Sequence, residues 1–540
     1  LSLTILAGAG AARAQGQRPS EQEMFGGPPS PDSESQPGPA GPGDNTPPRE
    51  PTAAPGMPPV GVPPGQAAST ANRDEALLGN PNAGPQLSTE AAPENPLTIG
   101  GQLYLRTQST AVTGAYPDRW TLTSPNLLDV YFDARPNERV RAFIRARTSF
   151  DPTAAPGGAN TSAAVGGAGN GGALVGSGAS STGFTTFNPT RGPNSVLDQM
   201  WIAFDMKHTV FVTAGKQHVK WGTGRFWTPT DYLHPVKRNP LDVFDARPGT
   251  TMLKLNVPWE ERAWNFYGFA VVEDPNTATN TLRQVTGAGR AEFVQGAAEL
   301  GLDVVARRDQ KPRFGADLSI GVGDFDLYGD MGLRYGSEIT LVRRAANPPP
   351  PMICDGVMVS PDLSQQYETY NPSGIKPQIT SGVTWAHKYN DNDVLTIGGE
   401  YFYNSVGYSD PKLYPGLLFN DSHTPQLNFF YTGRHYAALF ASLPAPYSWN
   451  YTTFTLSTIS NLSDLSFVSR LDYSLTLLTH LTFEAFAAVH YGHTGGEFRL
   501  GFDIPAQQTC DAAGNLVTIV PPIHQDAPLF DLGLALRLAI

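Results

Sequence analysis

A chain of 540 residues with 56 Gly, 49 Pro, 16% charged side chains and a formal net charge of −12 would ordinarily form roughly three or four soluble domains, a prior that large β-barrels break. The acidic balance excludes nucleic acid as a partner, because phosphate binding draws on clustered Lys and Arg. Two cysteines are too few for a disulfide scaffold and lack the paired spacing of a zinc site. Among 20 Tyr, 27 Phe and 8 Trp, only Phe25 falls in the first 100 positions, so the material for packing begins after Asn95.

Residues 1–14 are an apolar run closing on Ala12, Arg13 and Ala14, the small-residue pattern of a secretory cleavage site, and read as a signal peptide without its basic start. Residues 15–96 hold 19 of the prolines. Such a segment buries too little apolar surface to offset its ordering entropy, and is expected to be a disordered periplasmic segment with polyproline II character. It serves either as an arm for a periplasmic partner or as a plain leader. No later stretch offers the 18 apolar residues of a transmembrane helix.

From Leu97 the pattern changes to period two, the mark of strands with one apolar and one polar face. Leu97, Ile99, Leu103 and Leu105 share a face opposite Gln102, Tyr104 and Arg106. Leu128, Val130 and Phe132 oppose Asp129, Tyr131 and Asp133; after a turn, Val140, Ala142, Ile144 and Ala146 oppose Arg139, Arg141, Arg145 and Arg147. Similar segments recur to the end, near 196–206, 209–215, 251–259, 263–272, 289–296, 298–308, 313–322, 325–336, 377–387, 394–404, 425–443, 449–460, 465–478, 481–491 and 528–540. With the first three they make about eighteen strands, 16 to 20 by alternative pairings.

Tight turns, as at 136–138, 207–208 and 323–324, interleave with long loops at 109–125, 151–195, 216–250, 273–288, 337–376, 405–424 and 492–527. A soluble sandwich would keep its connections short at both ends. Alternating short and long connections and an even strand number are expected of an all-β transmembrane antiparallel barrel, closed so that no edge is left unpaired in lipid. The domain reading is therefore signal peptide 1–14, disordered segment 15–96 and outer-membrane barrel 97–540 with an inserted loop 216–250.

The last strand, PLFDLGLALRLAI, keeps Phe530, Leu532, Leu534, Leu536, Leu538 and Ile540 on one unbroken apolar face. It resembles the C-terminal signal by which outer-membrane proteins reach their insertion machinery, although the last residue of that signal is usually aromatic and here is Ile540. The body resembles a porin-type barrel of a Gram-negative outer membrane. The stretch Gly215 to Gly249 resembles a loop of porin-like barrels, some of them associated with polysaccharide export. The resemblance implies that this loop, the third long one, enters the lumen and narrows it, with outer-membrane lipid around the barrel.

Arg139, Arg141, Arg145 and Arg147 would form a basic stripe in the lumen. It either biases a pore toward anions or is neutralised by wall carboxylates such as Asp129 and Asp133. The loop adds Lys216, Lys220, Arg225, Lys237, Arg238 and Arg247 against Asp231, Asp242 and Asp245, with Trp221, Phe226, Trp227 and Tyr232 among them. These rings either stack on sugars or pin the loop to the wall. Cys354 and Cys510, in different long loops, are either bridged or two separate thiols.

No catalytic motif is found. Gly167, Gly169 and Gly172 match a dinucleotide pattern without its flanking strand and helix, and His490 and Glu484 lack a serine beside them. No enzyme activity, cofactor or metal is expected. The leading expectation is a channel for small hydrophilic solutes, anions among them, through a lumen narrowed by loop 216–250. The alternatives are a polysaccharide-export conduit, an adhesive or structural barrel, and a barrel hydrolase.

Overall fold

The computed structural model describes residues 96–540 apart from 155–190, 208, 235–236, 243–244, 246, 274–281, 361–362, 391–392, 419–426 and 512. The expected signal peptide, the Pro-rich segment and most of the loop 151–195 lie outside the described residues.

Eighteen strands, numbered here in chain order, form one closed antiparallel barrel. They are β1 (Leu97–Val112), β2 (Asn126–Asn137), β3 (Val140–Phe150), β4 (Asn194–Met206), β5 (Val210–Gln217) and β6 (Thr250–Trp259). Then come β7 (Trp264–Val271), β8 (Thr286–Gln295), β9 (Ala298–Arg307), β10 (Arg313–Val322), β11 (Phe325–Tyr335) and β12 (Ile375–Lys388). The circle ends with β13 (Val394–Asn404), β14 (His435–Pro444), β15 (Thr452–Asn461), β16 (Ser466–Leu478), β17 (Leu481–Gly492) and β18 (Pro528–Ala539). Each strand pairs with its neighbours in sequence, and β18 closes on β1 from Gln102 opposite Ala539 to Ala111 opposite Phe530. A short strand, Thr121–Thr123, folds against β1 as a nineteenth member of the sheet.

The burial pattern is inverted relative to a water-soluble sandwich. Leu97, Ile99 and Leu105 of β1 are exposed, whereas Gln102, Tyr104 and Arg106 are buried. On β18, Leu532, Leu534, Leu536 and Leu538 face out while Asp531 and Arg537 are buried. A sheet that turns Leu outward and Asp inward has its apolar solvent outside, which is the arrangement of a barrel spanning a bilayer.

Aromatic rings gather at both margins of that outer band. At the short-turn end Trp259, Trp264 and Phe293 meet edge to face, and Phe454, Tyr473 and Phe483 continue the belt. At the other end Tyr401 with His435, and Phe467 with Tyr491, do the same. Along β17 the rise from Phe483 to Tyr491 is about 27 Å at ~3.4 Å per residue, of which roughly 20 Å lies along the membrane normal at the usual tilt.

The boundaries read from sequence hold within a few residues, with one exception. The segment read as a strand over 425–443 becomes strand only at His435. Phe430 instead turns inward with positive φ and is buried in the lumen, where its ring meets Phe498 and its carbonyl accepts from Trp227 Nε1 of the inserted loop.

Candidate functional site

The lumen wall is built of paired charge. Arg147 places a fork on Asp129, with Nε and Nη2 donating at 2.7 and 2.9 Å. Arg145 donates to Asp198 at 2.5 Å, and His218, the first residue beyond β5, lies 2.9 Å from the other oxygen of that carboxylate. Arg141 is forked on Asp133 at 2.9 and 3.0 Å, and Arg139 reaches Asp205 at 2.9 Å. The four arginines of the predicted stripe thus line the wall, each on a carboxylate of a neighbouring strand. Period two put Asp and Arg on the same face of adjacent strands, and forked pairing is the favoured outcome there.

The segment 218–249 leaves β5, crosses the interior and returns to β6. It is anchored on carboxylates of the far wall. Glu400 on β13 accepts the backbone N–H groups of Arg225 at 2.7 Å, Phe226 at 3.1 Å and Trp227 at 2.8 Å, and the Tyr328 hydroxyl at 2.9 Å. Asp330 on β11 accepts the N–H and hydroxyl of Thr230 at 3.3 and 3.1 Å. Gly222, at φ +88, passes so close to Asp330 that a Cβ there would strike its carboxylate, which is the close approach that glycine permits.

The aromatic rings of the loop are consumed in this packing. Trp227 is fully buried, stacks on Phe402 at 5.5 Å and donates from Nε1 to the Phe430 carbonyl at 2.9 Å. Trp221 meets Phe269 edge to face at 5.3 Å, and Phe226 lies in the same buried cluster as Trp227. The Tyr232 hydroxyl donates to the Phe314 carbonyl at 3.0 Å. Their faces are closed to a sugar ring, so they pin the loop.

The remaining loop residues are placed as follows. The Arg225 guanidinium lies 3.7 Å above the Phe440 ring, and burial pushes it down to about 10. Arg247 grips Asp245 and reaches Asp231 at 2.7 Å. Burial pushes the Asp245 carboxyl up, but the Arg247 charge and hydrogen bonds outweigh it and hold the group well below the usual range. The Arg238 carbonyl accepts from the Tyr431 hydroxyl at 3.0 Å. Lys220 is exposed. Lys216 is a correction to the pore-lining set: it stands opposite Met200, on the outward face of the sheet, and pairs with Glu273 at 2.9 Å. The pleat alternation carries to the last residues of β5 and turns that side chain away from the lumen.

A second layer packs on the loop from 427–434 and from 496–500. The Glu497 carboxylate accepts from Phe430 N at 2.5 Å, Tyr436 Oη at 2.6 Å and Asn461 Nδ2 at 2.7 Å. Burial, with the nearby Asp464 carboxylate, pushes Glu497 up to about 8. His490 lies between the Phe498 carbonyl, at 2.7 Å, and Asp531, at 2.9 Å. Glu484 is held by Tyr104 and Arg537. At the long-loop end a disulfide joins Cys354 to Cys510.

The sequence reading missed Glu400, Asp198 and Glu497, and it took Asp330, with Asp326 and Glu338, only as acidic positions on one face that would make selectivity mixed, not as an anchor of the loop. Asp198 and Asp330 sit on the polar faces of strands read correctly, but their partners are remote in sequence. Glu497 carried no pattern signal.

No family model matches the chain, and no curated protein matches it. Among solved structures, OccK2 (OpdF) of Pseudomonas aeruginosa is similar at 9% identity, covering 82% of this chain and 98% of that one with a TM-score of 0.42. A BenF-like porin from Pseudomonas fluorescens Pf-5 is similar at 10% identity with the same coverages and a TM-score of 0.42. A mutant of Rhodopseudomonas blastica porin is similar at 8% identity, covering 82% of this chain and all of its own, with a TM-score of 0.35. The assignment of a closed barrel rests on the strand pairing and burial described above.

Proposed function

We propose that this chain is a channel of a bacterial outer membrane that passes small hydrophilic solutes through a lumen narrowed by the segment 218–249. The observation that carries the reading is a closed barrel with an apolar outside, a charged inside and one long connection folded inward and tied to the opposite wall by Glu400. Barrels of this strand number enclose a lumen too wide for wall side chains alone to fill, and an inserted loop reduces that bore to solute size. In this reading the short-turn end and both strand termini face the periplasm. The burial of Trp221 and Trp227 puts these two rings out of reach of a polysaccharide chain, which favours small solutes.

Liposome swelling tests this. Proteoliposomes holding the full chain should admit arabinose faster than sucrose, and sucrose faster than raffinose. Absence of arabinose entry into vesicles with folded protein would contradict it.

A further inference from the structure

On β2 to β4 and around β8, lumen charges of opposite sign meet from strand to strand, whereas Asp317 on β10 stands in register with Asp330 on β11. Arg147 lies between Asp129 and Asp198, and Arg290 on β8 is bound by Asp303 and Asp317 at 2.9 and 2.7 Å. At the long-loop ends of β10, β11 and β12 basic groups meet one another. Arg334 on β11 is in register with Lys376 on β12, and the pairing of Phe314 with Leu333 sets Arg313 beside Arg334. All three share the lumen face of their strands, since Phe314, Met331 and Ile375, an odd number of residues away, are exposed on the other side. Lys237 of the inserted loop approaches the same row, close enough for Arg334 to repel its charge, and burial with that repulsion pushes it down to about 7.

Like charges directly opposite one another destabilise a sheet, and the compensation for them is partial. Among the described residues none of Arg313, Arg334 and Lys376 forms an ion pair, and Arg334 Nε is buried without a hydrogen-bond partner. Among the described residues Lys237 makes one hydrogen bond, to the Asp231 carbonyl at 3.1 Å. Asp231 pairs with Arg247 and Asp330 accepts from Thr230, and both carboxylates offset part of the Lys237 charge without forming an ion pair with it. Glu338 is near enough to Arg313 to offset part of its charge, while Arg307 adds to the repulsion. The Tyr232 ring lies 5.1 Å from the Arg334 guanidinium and supports one face of it.

We propose that Arg313, Arg334 and Lys376, with Lys237 of the inserted loop, form a binding subsite in the long-loop mouth for a small oxyanion bearing two or more negative charges. Two planar guanidinium forks match carboxylate and phosphate oxygens, and the two ammonium groups supply charge without directional demand. The shared chemistry covers polycarboxylates and phosphates, and it places selectivity on wall residues that bear no relation to the stripe on β3. The subsite deepens the channel reading, since it takes the mouth of the barrel as the path of the solute.

Isothermal titration calorimetry of the full chain in detergent, at low salt, with citrate, pyrophosphate and acetate as probes, tests the subsite without relying on conduction. Citrate or pyrophosphate should bind, acetate should bind at least tenfold more weakly, and the double variant Arg313→Gln with Arg334→Gln should lose at least tenfold in affinity. Binding should survive Arg343→Gln, an exposed arginine paired with Glu368 outside the row. Heat-modifiable gel mobility confirms that each variant is a folded barrel. Citrate binding alone would assign the site to polycarboxylates, and pyrophosphate binding alone to phosphates. Equal binding by wild type and the double variant, or no binding of either polyanion to the folded wild type, would overturn the proposal. A barrel that binds citrate yet admits no arabinose would overturn the channel reading alone.

Discussion

Trp227 and Glu400 are 173 residues apart in sequence and are joined by a 2.8 Å hydrogen bond from the Trp227 N–H to Glu400 Oε1. With the N–H groups of Arg225 and Phe226 on the same carboxylate, this one side chain fixes the tip of the inserted segment against the far wall. Each of these donors loses its partner without it, at a cost of about 1–3 kcal/mol apiece where the group stays buried.

Glu400→Ala should therefore loosen the tip without opening the barrel. Trypsin should cut after Arg225 in the variant and leave the folded wild type intact there, with Glu400→Gln between the two. Equal resistance of all three would show that packing of Trp227 alone holds the loop.

Asp198 is the shared partner of Arg145, Arg147 and His218. Asp198→Ala leaves buried guanidinium groups short of counter-charge, a change that costs roughly 3–5 kcal/mol where such pairs are broken. The heat-modification midpoint on gels should fall, and by more than for Arg139→Ala, whose guanidinium is half exposed. The same shift in both variants would mean that burial does not decide the weight of these pairs.

The pH dependence at Glu497 follows from its raised value. The group titrates at about 8 in the fold against 4.5 when free, so the folded state holds its proton more tightly than the unfolded chain does. The resulting stabilisation is complete below pH 4.5 and is lost as pH rises through 8. Glu497→Gln should match the wild type at pH 4 and exceed it at pH 9 by on the order of one to a few kcal/mol, read from denaturant-dependent Trp fluorescence. A constant difference across that range would contradict the protonated state.

The bridge between Cys354 and Cys510 joins the connections 336–374 and 493–527. Reduction should leave the barrel heat-modifiable, since every wall strand is paired without it, while accelerating proteolysis of these two connections. Unchanged proteolysis after confirmed reduction would show that the other contacts of the two connections suffice.

The barrel was legible because period two writes lipid face and lumen face directly into the chain, as in Leu532, Leu534 and Leu536 against Asp531, Ala535 and Arg537. Loop order was legible too, and put the inward segment third. The site was less so. The charge of Arg145 and Arg147 could be read, but their neutralisation by Asp198 depends on which strand lies beside which. For Trp221 and Trp227 the sequence left sugar stacking and pinning of the loop both open, because Phe269 and Phe402, which pack on them, come from other strands. The segment 427–434 reads as strand from its apolar content, and only the lumen packing of Phe430 and its tie to Glu497 explain why it is not.

Single-channel conductance in planar bilayers tests the central claim most directly, comparing the full chain with a variant in which 219–248 is replaced by a short Gly-Ser turn. A narrowed channel predicts steady, resolvable conductance for the full chain and a severalfold larger one for the variant. Equal conductance in both, or silence from both as folded barrels, would contradict it.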